Sequence, residues 1–237
     1  DGLRSRVRTA ARIPVVSWPY DRAALVMTIS HEADHNGRAI QHFLEGGPFA
    51  ALPLTGRRSS IVWTEPTSKA AEYLNLPESL LVEQLDLRMG GCFGEIEIEE
   101  RAQTFPLVFQ VARRFVDQRI VLVGDAAHRV HPLAGQGLNL GMRDVAALSE
   151  VILDQARLGL DFGGADSLRD YERRRRFDAT ASAAAFDLLH KSYAIPGNAA
   201  QTVRRAGMNL VSGTGAIKAF LRREAAGTAG DVPALFQ

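Results

Sequence analysis

Residues 119–144, RIVLVGDAAHRVHPLAGQGLNLGMRD, concentrate the side chains best suited to chemistry. Ile120, Val121, Leu122 and Val123 form an apolar, β-branched run that predicts a strand buried on both faces of a sheet, ended by Gly124. Asp125 then stands at the carboxyl end of that strand. Pro132 cannot continue a strand, while Gly135, Gly137 and Gly141 let backbone approach a ligand closely. The apolar run Leu138, Leu140, Met142, Val145, Leu148 and Ile152 predicts a helix after the turn.

A turn feeding a helix presents free N–H groups at the positive end of the helix dipole, roughly half an elementary charge, and so favours a negatively charged ligand atom. A carboxylate beside that turn argues against a plain phosphate, which it would repel. It accepts hydrogen bonds from sugar or ribityl hydroxyls instead, so a nucleotide-type cofactor is the simplest ligand. The competing reading is an ordinary strand-to-helix connection with glycines for packing.

The run Gly124-Asp125-Ala126-Ala127-His128, followed by H-P-L-A-G-Q-G-x-N-x-G-x-x-D over fourteen consecutive positions from His131 to Asp144, resembles the signature of the ubiquinone-biosynthesis hydroxylases. These are FAD-dependent aromatic monooxygenases of the para-hydroxybenzoate hydroxylase type. The resemblance implies that Asp125 holds the ribityl chain of FAD. It also implies that Gly124, Pro132, Gly135, Gln136, Gly137, Leu138 and Asn139 form the turn against the pyrimidine edge of the flavin. A second segment, Asp1-Gly2-Leu3-Arg4-Ser5-Arg6-Val7-Arg8, resembles the family's D-G-x-x-S-x-V-R motif, which adds Asp1 and Arg8 to the implied cofactor site. That motif lies well inside full-length members, and no G-x-G-x-x-G turn for the ADP half of FAD follows a strand anywhere in the sequence. Gly90-Gly91-Cys92-Phe93-Gly94 follows a predicted helix tail and precedes a strand, the reverse of the required order. The expectation is the carboxyl-terminal part of an enzyme, inactive alone.

Around these residues the elements alternate in type. Residues 13–66 predict an antiparallel, β-rich layer, from Val15, Val16 and Trp18, then Leu25 to Ile29, Ala50 to Leu54, and Ile61 to Trp63. Asn36-Gly37, Gly46-Gly47-Pro48 and Thr55-Gly56-Arg57 supply the turns. Residues 67–89 predict a helical cover, with Thr67 or Ser68 as caps, Pro77 near the start of a second helix, and Leu80, Leu81, Leu85 and Leu87 on its buried side. Glu95, Glu97 and Glu99 alternate with Ile96 and Ile98 as a half-exposed strand rather than as catalytic carboxylates. Thr104 to Val111 predicts another strand, which Pro106 favours as an edge.

Beyond Asp144 the pattern is helical: one helix to about Leu158, a break at 161–164, a long helix over 167–191 with Ser167 and Asp170 as a capping pair, and two shorter helices. The quartet Arg173-Arg174-Arg175-Arg176 points in every direction around one helical turn, so at least one arginine must pack inward. The others predict ion pairs with Asp170, Glu172 and Asp178, or a contact with acidic lipid headgroups. Basic and apolar residues interleave in the last helices, as interfacial helices require.

The expected fold class is α+β with α/β character: an antiparallel substrate-domain sheet, the carboxyl-terminal part of a Rossmann-like FAD-binding domain, and terminal helices. The expected domains are 1–12, a remnant of the FAD-binding domain; 13–112, the substrate domain; 113–160, the flavin turn and its helix; and 161–237, a helical region.

At 46% hydrophobic and 23% charged the chain can bury a large core, and a formal charge of +1 gives no case for nucleic acid. Cys92 stands alone, which excludes an internal disulfide. His128 and His131 lack further ligands at metal spacing, so no metal is expected. No apolar stretch approaches the ~18 residues of a bilayer span. The resemblance implies hydroxylation of a polyprenylated phenol with NAD(P)H or another electron donor, in the cytoplasm and peripheral to the inner membrane or within a ubiquinone-biosynthesis complex. A flavin hydroxylase of another aromatic compound and a non-catalytic interaction module are the alternatives.

Overall fold

The computed structural model describes residues 1–44, 46–130, 136–194 and 215, without the side chains of Gln136, 182, 183 and 185–194. The chain divides into two compact units, one of residues 19–107 and one combining 1–18 with 108–237.

The unit of residues 19–107 is built on β1 (Val15–His31), β2 (Ile40–Leu44), β3 (Gly47–Leu54), β4 (Arg58–Pro66) and β5 (Ile96–Ala112), covered by α2 (Thr67–Leu74) and α3 (Glu78–Met89). With the two-residue β8 (His128–Arg129), the described sheet has the order β2-β3-β4-β1-β5-β8, and the pairs β1·β4, β2·β3, β3·β4 and β5·β8 are antiparallel. Period-two alternation sends Leu25, Met27 and Ile29 of β1, Phe49 and Ala51 of β3, and Ile61 and Trp63 of β4 to one face. There they meet Ala70, Leu81, Leu85 and Met89 of the helices. The register follows, with Leu25 opposite Trp63, Met27 opposite Ile61 and Phe49 opposite Trp63.

Several local expectations change. The runs around Val15 and Leu25 belong to one seventeen-residue strand. The chain passes the apparent break with Asp21 at φ 52° rather than by turning back. The expected strands over 95–99 and 104–111 are likewise one strand, β5, with Pro106 inside it. Proline is tolerated there because, among the described residues, β8 pairs with Gln110 and Val111 and does not reach Pro106. Pro66 and Pro77 occupy the cap positions of α2 and α3, and neither supplies a side-chain cap. In α3 the buried face is Leu81, Leu85 and Met89, at i, i+4 and i+8, while Leu80 and Leu87 face solvent. Gly90 ends α3 in the left-handed region at φ 66°, so the glycines after it form a helix cap rather than a nucleotide turn.

The other unit holds α1 (Arg6–Ala10), the antiparallel pair β6 (Val116–Asp117) and β7 (Ile120–Val121), a 3-10 turn over Gly124–Ala126, and the helices α4 (Gln136–Arg157) and α5 (Ala165–Ala194). The strand expected to be buried on both faces is thus a short ribbon. Ile120 and Val121 are half-buried because β6 is their partner among the described residues, and only Leu122 goes fully inside. In α4, Leu140, Arg143, Asp144, Ala147 and Val151 form the buried face. Leu138, Met142 and Val145, read from sequence as part of the apolar side, are exposed. α5 begins at Ala165, and Ser167 donates to the Asp161 carbonyl instead of capping with Asp170. The expected helices beyond 194 lie outside the described residues.

Candidate functional site

The two sequence segments singled out for chemistry meet at one cavity of about 590 Å³. Its walls include Asp1, Gly2 and Val7 from the amino end, Gly124 and Asp125 from the 3-10 turn, and Gly137, Leu138 and Gly141 from the start of α4. This volume lies within the range of small-molecule sites.

The amino-terminal wall is shaped by Asp1. Its carboxylate accepts the Ser5 hydroxyl and, at 3.0 Å, the backbone N–H of Arg6, while Ser5 Oγ caps α1 by accepting from the Arg8 N–H at 3.0 Å. Arg8 is buried, and its guanidinium donates to the carbonyls of Ala126 at 2.8 Å and Leu3 at 2.6 Å. Burial lowers the Arg8 pKa from its ordinary value. Arg8 therefore binds the amino-terminal segment to the turn that carries Asp125.

That turn depends on two glycines. Gly124 sits at φ 56°, a conformation that L side chains rarely adopt, and a Cβ on Gly141 would lie 3.4 Å from the Gly124 Cα. The Gly124 N–H is not offered to a ligand, because it donates to Asp144 Oδ2 at 2.9 Å. Asp125 is exposed and makes no hydrogen bond or ion pair with another described residue. Its acceptor oxygens thus stand free on the cavity.

Behind the turn lies a network that sequence reasoning did not assemble. Asp144 has no solvent exposure; its Oδ2 meets His128 Nε2 at 2.7 Å and its Oδ1 accepts from Arg175 Nε at 2.8 Å. Burial opposes ionisation of Asp144, yet the His128 hydrogen bond and charge and the Arg175 contact hold its pKa below the ordinary value. Arg175 Nη1 continues to Asp178 at 2.6 Å. Tyr171 donates its hydroxyl to the Leu122 carbonyl at 2.9 Å, fixing the residue two before Gly124. Burial first, then the neighbouring Asp144 charge, pushes the Tyr171 pKa up, which keeps the phenol protonated as a donor. The sequence signal for this network was the arginine quartet: one arginine had to face inward, and it is Arg175, 3% exposed. Arg173 and Arg174 pair with Asp170 as expected, whereas Glu172 accepts the Phe115 N–H at 2.6 Å.

Of the sequence-predicted cofactor residues, Asp1, Gly124, Asp125, Gly137 and Leu138 line the cavity, and Arg8 braces it from behind. Gln136 and Asn139 fall in the first turn of α4, where helix geometry leaves N–H groups without intrahelical partners. Pro132 and Gly135, together with His131, lie outside the described residues. No group of three or more potential metal ligands occurs among the described residues. An exposed acceptor carboxylate, close-approach glycines and a helix start suit a ligand that carries both hydroxyls and a polarised oxygen, as the ribityl and pyrimidine parts of FAD do.

A family model described as an FAD binding domain matches residues 1–184. The chain belongs to this FAD-dependent monooxygenase family. Within it, the chain is 41% identical over 228 residues to the ubiquinone hydroxylase UbiL of Rhodospirillum rubrum, covering 96% of this chain and 53% of that protein. It is 33% identical over 252 residues to the mitochondrial ubiquinone biosynthesis monooxygenase COQ6 of Homo sapiens, covering 92% and 54%. The chain thus spans about half the length of the curated relatives it matches. Among solved structures, the Diels-Alderase PyrE3 of pyrroindomycin biosynthesis superposes with a TM-score of 0.74 at 23% identity, covering 98% of this chain and 50% of that one, a likeness of fold. Among the described residues no helix is long and apolar enough to cross a membrane.

Proposed function

We propose that this chain forms the ribityl and pyrimidine side of an FAD site in a monooxygenase that hydroxylates the aromatic ring of a polyprenylated phenol in ubiquinone biosynthesis. The observation that carries the proposal is the free Asp125 carboxylate on a cavity shared by Asp1, Gly2, Gly124 and Gly137. Identity to UbiL and COQ6 supports the substrate class.

In this reading Asp125 accepts hydrogen bonds from ribityl hydroxyls. The N–H groups of Gly137, Leu138 and Asn139, at the positive end of α4, favour negative charge at the pyrimidine edge of the cofactor. Arg8 keeps both walls together without touching the reacting ring. FAD supplies the activation of dioxygen and the oxygen transfer, with NAD(P)H or another donor as reductant. The ADP half of the cofactor needs a nucleotide turn that these 237 residues lack, so the isolated chain is inactive. The enzyme works in the cytoplasm, peripheral to the inner membrane where a prenyl tail resides.

The test is oxygen and NAD(P)H consumption by the chain extended at its amino end through a nucleotide-binding unit, given a phenol with and without a prenyl tail. Hydroxylation of the tailed phenol is expected. Hydroxylation of the untailed phenol alone moves the assignment to another aromatic substrate, and no turnover of either phenol overturns it.

A further inference from the structure

Resting on the FAD reading above, we propose that Asp144 is the positioning residue of the flavin turn, and that Arg175 and His128 act on cofactor binding by holding its carboxylate. Asp144 does not line the cavity. It reaches the site through the Gly124 N–H, which its Oδ2 accepts at 2.9 Å, and Gly124 is followed directly by Asp125.

Two observations set this contact apart from ordinary packing. First, Asp144 is wholly buried and receives three donors, from Gly124, His128 Nε2 at 2.7 Å and Arg175 Nε at 2.8 Å. The second guanidinium edge of Arg175 is occupied by Asp178, which Arg143 also approaches at 3.4 Å. Two carboxylates and two guanidiniums therefore meet in one buried cluster, and His128 adds its Nε2 as a further contact to Asp144 Oδ2. The other ring nitrogen of His128, Nδ1, is buried and meets no partner among the described residues. A buried charged cluster of this kind adds little stability over a well-packed apolar one, so its value lies in geometry.

Second, the geometry it fixes is one that glycine adopts and L side chains rarely do. Gly124 at φ 56° turns the chain so that Asp125 points out, while the Gly124 carbonyl accepts the Ala127 N–H at 2.8 Å to close the 3-10 turn. With its N–H anchored on Asp144 and its carbonyl closed on Ala127, Gly124 has little freedom. Asp125 is thereby presented to the cavity in one orientation before any ligand arrives, which reduces the ordering cost of binding. Because Arg175 belongs to α5 and Gly124 to the turn, the network also couples α5 to the cofactor wall.

Asp144→Asn keeps size but loses the charge. The two donors facing Oδ2 and the one facing Oδ1 leave no amide orientation without an N–H set against an N–H. Arg175→Lys retains a cation but loses the planar fork whose Nε meets Asp144 and whose Nη1 meets Asp178. Leu168→Ala is the control: Leu168 is a buried residue of α5 that lines a different cavity, with Val116, Asp117 and Arg119.

The experiment measures FAD affinity by flavin fluorescence quenching and hydrogen exchange at the Gly124 amide, in the amino-terminally extended protein. Asp144→Asn is expected to weaken FAD binding at least tenfold and to speed Gly124 exchange. Arg175→Lys changes both in the same direction by less, and Leu168→Ala lowers Tm while changing neither. If Asp144→Asn does not fold, Arg175→Lys decides. Wild-type affinity in a folded variant, or an equal affinity loss in Leu168→Ala, overturns the positioning role alone. Absence of FAD binding by the unmutated protein overturns the function reading and this inference with it.

Discussion

Arg8 Nη1 donates to the Ala126 carbonyl at 2.8 Å, joining residues 118 positions apart. Through this bond a guanidinium outside the cavity lining ties the amino-terminal segment to the Asp125 turn, two walls of one cavity. Replacing Arg8 with Met leaves the Ala126 carbonyl without its charged donor in a buried setting, while the Leu3 carbonyl keeps a contact from Gln110 Nε2 at 3.4 Å. A loss of about 1–3 kcal/mol is expected for the group left unsatisfied. Urea denaturation of the unit checks the stability, and FAD titration should show weakened binding, with Arg8→Lys recovering part of both.

Asp125 behaves in the opposite way. It is exposed and makes no hydrogen bond or ion pair with another described residue, so Asp125→Asn should leave the unfolding free energy within the roughly ±0.5 kcal/mol typical of surface changes. FAD affinity should nevertheless fall by roughly tenfold to a hundredfold, the range of hydrogen bonds to a charged group at about 1.5–3 kcal/mol. Parallel thermal melts and flavin titrations separate the two effects.

Gly124→Ala isolates backbone conformation from space. An added Cβ would lie 3.8 Å from the Gly141 Cα, an ordinary contact, while φ 56° costs an L residue about 1–2 kcal/mol. The variant should fold with that loss of stability and with weaker FAD binding, because relaxing φ moves Asp125. Denaturation midpoints together with flavin titration provide the check.

Acid sensitivity should trace to Asp144. Its folded pKa is held below the unfolded value, against the burial that opposes ionisation, by His128 and Arg175. A group with a depressed folded pKa contributes its stability above the unfolded value, about 4, and loses it as pH falls through the folded value. The unit of residues 1–18 and 108–237 should therefore weaken as pH drops below about 4. Asp144→Asn should be less stable at neutral pH and flatter across that acid range, as followed by denaturant midpoints against pH.

The parts legible in sequence were those set by local chemistry. The glycine-bounded Asp125, the helix after it, and the turns at Gly37 and Gly56 all follow from residue type and spacing, and the structure places them accordingly. What sequence could not decide was set by partners far along the chain. The arginine quartet predicts an inward residue, but only Asp144, 31 positions earlier, selects Arg175. Leu80 and Leu87 were expected inside α3, yet the contact face follows Leu81, Leu85 and Met89, because the sheet side chains opposite decide which stripe is covered. The separate strands expected around Val15 and Leu25, and over 95–99 and 104–111, are absorbed within two long strands.

The most direct test of the account is a flavin absorbance titration of the native chain, run beside its amino-terminally extended form and the Asp125→Ala variant of that form. Saturable FAD binding by the extended form is expected, with loss of affinity in Asp125→Ala at unchanged Tm. Saturable binding that is indifferent to Asp125, or no flavin binding by the extended form, would contradict it.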